Sequence, residues 1–325
     1  MTDSMEDVGA VFESLGDLEK EFAQVELDGL RSKEYSLKPL YTKRKALLDR
    51  VPDFWPTVFG NGPEEVQQLF SPDDLALISC ITSFTVDRHQ IESETKGEPR
   101  SLRFTFEFAE NEYIEDKKLV KEFEYKPRED DLGSLVSKPV PIKWKSKKKD
   151  LTHGLLDGAV ELHAAEEALK LKNGKEQIEF VDREALWQHE KLREKLLKLD
   201  ESNDDQSSFF NWFGFRGAID AVHPWNVADN GANGADDEDE EDEEDDEDVY
   251  QMLEIEIFPA GEEVAIVLAE ELWTDAMDYF MSAQEDFPGG DFGMDDDEEE
   301  DEEDEDAPEL VPAEEARPNK RQRKD

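Results

Sequence analysis

Six apolar residues near the start of the chain, Val8, Val11, Leu15, Leu18, Phe22 and Val25, follow one another at intervals of three, four, three, four and three. That spacing is the a/d seam of a coiled coil, and it assigns the first 50 residues to one long helix. The next seam position is Gly29, where the pattern slips by one and resumes at Leu30, Leu37, Tyr41 and Leu48. A helix this long is not stable alone in water and needs a partner along its stripe. At about 1.5 Å per residue, some 40 residues reach roughly 60 Å, more than the width of a small domain. A second copy of the same helix is therefore the expected partner, and the ten seam residues are the candidate dimer interface. Packing of the stripe on the chain's own domain is the other reading. Gly29 and Pro39 cost roughly 1 and 3 kcal/mol against alanine in a helix interior. Pro39 is expected to kink the helix or break it near Lys38, with one bent helix as the first expectation.

Pro52 ends this segment, and short helices follow. Gly62-Pro63-Glu64-Glu65 and Ser71-Pro72-Asp73-Asp74 carry helix-start signals, the second a near capping box. From Cys80 the apolar period changes to two. Thr82, Phe84 and Val86 alternate with polar neighbours, and Leu102, Phe104, Phe106 and Phe108 form the strongest strand pattern. Leu119, Phe123 and Tyr125 form a third, and Val140 to Trp144 a short fourth. One face is apolar and the other charged, as in an antiparallel sheet covered by helices on one side. Residues 155–200 return to helix: one around Asp157 to Lys172, stopped by Asn173-Gly174, and one from Asp182 carrying Leu186, Trp187, Leu192, Leu196 and Leu197. Those apolar residues, with Leu169 and Leu171, predict a helical pair packed on the sheet domain, with Trp187 shielded. An aromatic cluster, Phe209, Phe210, Trp212, Phe213 and Phe215, and an apolar helix from Val264 to Met281 follow. The fold class is α+β.

Charge decides what such a chain can bind. It holds 87 acidic residues against 37 basic ones, a formal net charge of −50. Such an excess repels nucleic acids and anionic membranes and attracts strongly cationic proteins. No strong direct nucleic-acid binding is expected. Asp236 to Asp248 is an unbroken run of 13 acids and Asp295 to Asp306 one of 12. Neither can bury apolar area, so both are expected to be disordered. A lone acidic run is as often a solubilising tail; two of them favour a cation-binding role. With one cysteine, Cys80, no intramolecular disulfide can form. The N-terminus has no signal-peptide pattern, and the apolar run Val264 to Ala269 is too short to span a bilayer, so a soluble intracellular protein is expected.

No catalytic pattern stands out. The five histidines lack metal-ligand spacing with each other or with Cys80, and no phosphate-binding loop is present. No enzymatic role, metal or cofactor is expected. Two basic clusters remain. Lys320, Arg321, Arg323 and Lys324 form a candidate nuclear import signal, or else a tail pairing with the acids before it. Lys143, Lys145, Lys147, Lys148 and Lys149 flank Trp144, where nucleic-acid contact and a solvated strand end compete as explanations.

Several segments together resemble the SET-type branch of the nucleosome assembly protein family. They are LLDRVPDFWPTVF (47–59), FTFEFAENEYIEDKKLVKEFEY (104–125), IKWKSKKKDLT (142–152), SFFNWF (208–213), and Glu270-Glu271-Leu272-Trp273 with Tyr279-Phe280. The resemblance implies a homodimer whose long helices pair antiparallel, each carrying an "earmuff" domain with a four-stranded antiparallel sheet covered by helices. It implies a histone chaperone acting in nucleosome assembly and chromatin remodelling, located in the nucleus and shuttling with the cytoplasm. Core histones are the implied partners. The alternative is an acidic inhibitor or adaptor of a chromatin-associated enzyme such as a protein phosphatase. The candidate histone-binding residues are Glu110, Glu112, Glu115 and Asp116 in the FAENEYIED turn, with the runs bounded by Asp236 and Asp248 and by Asp295 and Asp306. The expected organisation is a dimerisation helix (1–51), an earmuff core (52–152), a helical insertion (153–206), an aromatic segment (207–227), an acidic insertion (228–250), the last earmuff strand and helix (251–286), and an acidic tail with a basic end (287–325).

Overall fold

The computed structural model describes residues 3–127, 133–174, 178, 180–201, 208–217 and 255–285. Two units divide the chain, Met1–Phe287 and Pro288–Asp325, and all described residues belong to the first. Both acidic runs and the basic C-terminus fall outside the described residues.

Helix α1 runs from Asp3 to Leu48, 46 residues, as one helix through both Gly29 and Pro39. Its solvated surroundings there explain the tolerance: both residues are exposed, so water can satisfy the backbone carbonyl that Pro39 leaves without a donor. Three short helices follow: α2 (Phe54–Asn61), α3 (Glu64–Gln67) and α4 (Pro72–Ile78). The start of α4 is a capping box with aspartate in the usual glutamate place. Asp74 N–H donates to Ser71 Oγ at 3.1 Å, and Ser71 N–H donates to Asp74 Oδ2 at 2.9 Å.

The sheet is four-stranded and antiparallel, in the order β1 (Ile81–Asp87), β4 (Leu102–Phe108), β5 (Lys118–Lys126), β6 (Ser134–Ser137). A separate two-stranded hairpin, β2 (Ile91–Ser93) and β3 (Lys96–Gly97), escaped the sequence reading because it is too short to show a period. The fourth strand also differs from expectation: it is Ser134–Ser137 and not Val140–Trp144. Pro139 and Pro141 bracket Val140 and have no N–H for a ladder. Val140 N–H instead donates to Phe213 O at 2.8 Å, and Trp144 makes only an isolated bridge to Ile114.

The core lies on one face of the sheet. Phe84, Phe104, Phe106 and Phe123 pack there against Trp55, Phe59 and Trp212. Trp212 belongs to a 3-10 turn, Phe209–Gly214, whose placement is fixed by polar contacts. Buried Asp74 accepts from Ser208 Oγ at 2.5 Å and from Phe209 N–H at 3.0 Å, and Trp212 Nε1 donates to Gly261 O at 2.9 Å. Lys121, fully buried, donates from Nζ to the carbonyls of Lys138, Phe213 and Phe215 at 2.9, 3.0 and 2.6 Å. Burial pulls this lysine's pKa well below its ordinary value.

The insertion forms α5 (Leu155–Asn173), α6 (Phe180–Glu184) and α7 (Trp187–Glu201). As expected, α5 ends at Gly174, which is left-handed at φ 63°. The pair docks on the domain through Leu155, Leu156, Ala159, Leu162 and Leu192, all buried. Trp187 corrects the expectation of shielding. It is 64% exposed, with its ring under the Lys191 ammonium at 5.2 Å. Leu171 and Leu197 are also exposed, while Leu169, Leu186 and Leu196 are half-buried. A buried ion cluster adds the rest of the docking. Glu166 on α5 accepts from Arg183 Nε at 2.6 Å and is paired with both terminal nitrogens of Arg216.

The segment expected as one helix from Val264 to Met281 is divided. Helix α8 (Gly261–Val267) passes into a π turn, Leu268–Leu272, closed by Trp273 N–H to Leu268 O at 3.1 Å, and α9 (Ala276–Glu285) begins afresh.

Candidate functional site

Two surfaces hold the residues singled out in the sequence: the outer faces of α1, and the turn between β4 and β5.

Helix α1 has an inner and an outer apolar stripe. The inner stripe clamps the helix to its own domain. Arg31 Nε donates to Gly97 O at 2.7 Å and Lys38 Nζ to Ile91 O at 3.2 Å, both on the β2–β3 hairpin. Tyr41 packs on Trp273, with ring centroids 5.4 Å apart, and the Arg44 guanidinium lies 4.0 Å from the centre of the Trp273 ring. Arg88 bridges Glu34 and Glu270. Burial raises the Glu34 carboxyl above its usual range despite Arg88 beside it. Leu48 ends in the core. Tyr41 and Leu48 are thus taken up within the chain, which corrects their assignment to a seam shared with a partner; Leu30 and Leu37 are half-buried beside them.

The outer stripe is Val11, Leu15, Leu18, Phe22 and Val25 with Phe12, Leu40 and Leu47, all exposed. Val8 shares the register, but its side chain lies outside the described residues. Leu40 and Leu47 stand one place after residues 39 and 46, to which the series Val11, Leu18, Val25 extrapolates, so the outer stripe shifts by one past Gly29. Between the bulky ends it passes over small, exposed positions, Gly29, Ser32 and Ser36.

The β4–β5 turn is built by Asn111, whose Oδ1 accepts from the N–H groups of Tyr113 and Ile114, both at 2.9 Å. The lysine-rich segment 143–149 is laced to it. Glu115 N–H donates to Lys143 O and Lys145 N–H to Tyr113 O, each at 2.8 Å, and Lys143 N–H donates to Asp116 Oδ2 at 2.7 Å. Lys149 pairs with Glu112 at 2.9 Å and sits over the Tyr113 ring. The hydrogen bond to Glu112 holds this lysine above its usual range. Of the four carboxylates nominated here, Asp116 is half-buried in backbone bonding and Glu112 is paired. Glu110 and Glu115 are exposed, with no ion pair to any described residue. Sequence reading could not find this arrangement, since the two segments are some thirty residues apart in the chain.

Gly217 and Ile255 are the described residues on either side of 218–254, and Arg216 N–H donates to Glu256 Oε2 at 3.1 Å. Burial pushes the Glu256 carboxyl up. Among the described residues no group of three or more His, Cys, Asp or Glu is placed to hold a metal, and no helix is long and apolar enough to cross a membrane.

Known proteins share this architecture. The chain is 19% identical to Vps75, described as a histone chaperone in its structure, with TM-score 0.52, covering 85% of this chain and 99% of that one. It is 21% identical to Ccp1, with TM-score 0.51, covering 87% and 99%. Among curated sequences, a putative nucleosome assembly protein of Schizosaccharomyces pombe is 32% identical over 144 residues, 41% of this chain and 57% of that protein. Protein SET of Drosophila melanogaster is 33% identical over 113 residues, 34% of this chain and 39% of that protein. The family model of nucleosome assembly proteins matches residues 14–283, from the outer stripe of α1 to the last helix. The chain belongs to the nucleosome assembly protein family.

Proposed function

We propose that the chain is a homodimeric histone chaperone that holds core histones in exchangeable contacts and assists nucleosome assembly and disassembly in the nucleus. The observation that carries this reading is the combination of the family fold with 25 acidic residues in two unbroken runs. Such runs compete with DNA phosphates for histone lysines and arginines through many weak, screened contacts, which a carrier must be able to release. The folded domain contributes Glu110 and Glu115, a minor share beside the runs. The outer stripe of α1 supplies the dimer contact: eight large apolar side chains exposed on one helix are more than a surface helix leaves in water. Lys320, Arg321, Arg323 and Lys324 supply nuclear import.

Deletion of residues 295–325 tests the histone reading. The deleted chain should stay folded, bind separated core-histone pairs more weakly and show a flatter salt dependence. Unchanged affinity and salt dependence would remove the tail from the account.

A further inference from the structure

The helical insertion is held to the domain in two unequal ways. Helix α5 is anchored from within: Leu155, Leu156, Ala159 and Leu162 are buried, and Leu156 reaches the aromatic turn at Gly214. Helices α6 and α7 hold on to α5. Leu192 seats over Gly158, where a Cβ would stand 2.9 Å from Leu192 Cδ1. Lys191 pairs with Glu161, Lys195 Nζ donates to Gly154 O at 2.6 Å, and Arg183 Nε donates to Glu166.

That last contact belongs to a buried cluster with one positive charge too many. Arg183 and Arg216 share the single carboxylate of Glu166. Two histidines border it. His189 on α7 is 5% exposed, and its Nε2 is buried with no hydrogen-bond partner among the described residues. It lies near Arg183 and Glu184 of α6, Glu166 of α5 and Arg193 of its own helix. His163 on α5 is half-buried and lies near Arg216, Lys138, Glu166 and Glu167. Glu166 is committed to the guanidiniums, Glu184 is exposed, and Glu167 pairs with Lys170. Glu256 accepts from the Arg216 and Phe258 N–H groups. Among the described residues, the cluster has no buried carboxylate left for a further cation.

We propose that α6 and α7 form an acid-releasable arm: protonation of His189 and His163 overcharges the Glu166 cluster and frees the arm from α5, while α5 and the sheet domain stay folded. In the docked form burial, aided by the neighbouring guanidiniums, pulls both imidazoles below their ordinary value of 6.5. Free of the cluster, they take up a proton near 6.5. Docking strength from this source is therefore full above pH 6.5 and is lost as pH falls through the docked values. At pH 5.5, each imidazole that stays neutral while docked weakens docking by up to about tenfold. Glu166, held below the usual carboxylate range, stays charged in this window, so its own titration is a separate event at lower pH. Release uncovers the seat of Leu192 at Gly158 and turns Leu192 to water.

Amide hydrogen exchange of the full chain, read as protection factors at pH 7.5 and 5.5, tests this. Protection across 189–198 should fall about tenfold or more at pH 5.5, while Leu102–Phe108 and Leu155–Leu162 should change less than about twofold. Imidazole titration by NMR should place His189 and His163 in the window where that protection is lost. The double variant His163→Gln, His189→Gln gains no charge and should keep equal protection at both pH values. His89→Gln, whose ring lies near Arg103 and Glu122 of the sheet, should behave as the unmodified chain. Unchanged protection of α7 at pH 5.5, a loss shared equally by the sheet, or a loss that survives in the double variant would each overturn the proposal. If the glutamines alone undock the arm at pH 7.5, the unmodified chain decides. There, protonation of His189 and His163 with α7 still protected contradicts the proposal, and protonation together with loss of protection supports it.

Discussion

Glu166 shows how a single side chain can hold an inserted element in place. It is 3% exposed, and two guanidiniums from different segments converge on it. Burial alone would raise its pKa, but Arg216 and Arg183 outweigh that and hold the carboxyl below its usual range. Glu166→Gln leaves two buried arginines without a counter-charge and should cost about 3–5 kcal/mol in urea unfolding at neutral pH. A carboxyl whose folded pKa is depressed contributes stability above its unfolded value near 4.5, and that contribution disappears as pH falls through the folded value. The gap between the two proteins should therefore be full at neutral pH and close below about pH 4.5; a gap independent of pH would mean that packing, not charge, is responsible. None of this was legible in the sequence. Among so many carboxylates nothing marks Glu166, and its partners lie 17 and 50 positions away.

Elements were legible where a period was long and its environment uniform. The alternation in Phe104–Phe108 and the first heptads of α1 predicted the strand and the helix that the structure contains. Apolar count misled where one helix serves two surfaces. Leu192 and Trp187 lie on the same helix, yet Leu192 fills the space above Gly158 while Trp187 faces water. Leu192→Ala should cost about 2–4 kcal/mol, and Trp187→Ala under about 0.5 kcal/mol. Comparable losses for both, in the same denaturation experiment, would contradict this division. The slip at Gly29 has the same origin. Leu30, Leu37, Tyr41 and Leu48 after it lie on an inner stripe that serves the chain's own domain, while the exposed Leu40 and Leu47 lie one place past the earlier seam register. Charged replacements at Leu15, Leu18 and Phe22 should convert a dimer, seen by sedimentation at micromolar concentration, into a folded monomer. Replacement of Tyr41 or Leu48 should lower thermal stability instead. A monomeric unmodified chain would remove the dimer from the account.

On the scale of the whole molecule, fold and charge divide the work. The segments that resemble the family made the earmuff architecture legible, because they contain residues that build turns and core: Asn111 in the β4–β5 turn, Ser208 and Trp212 in the aromatic segment. The candidate site was less legible, since exposure and pairing of Glu110, Glu112, Glu115 and Asp116 depend on a lysine segment distant in sequence. The acidic runs were legible from composition alone, and the proposed function assigns to them the attraction of a cationic partner. The most direct measurement is the affinity of the full chain for separated core-histone pairs as a function of salt. Exchangeable polyelectrolyte binding predicts tight association at low salt and a steep, continuous loss as the screening length shortens from about 10 Å at 0.1 M to about 3 Å at 1 M. No binding at low salt, or an affinity that does not change across that range, would contradict it.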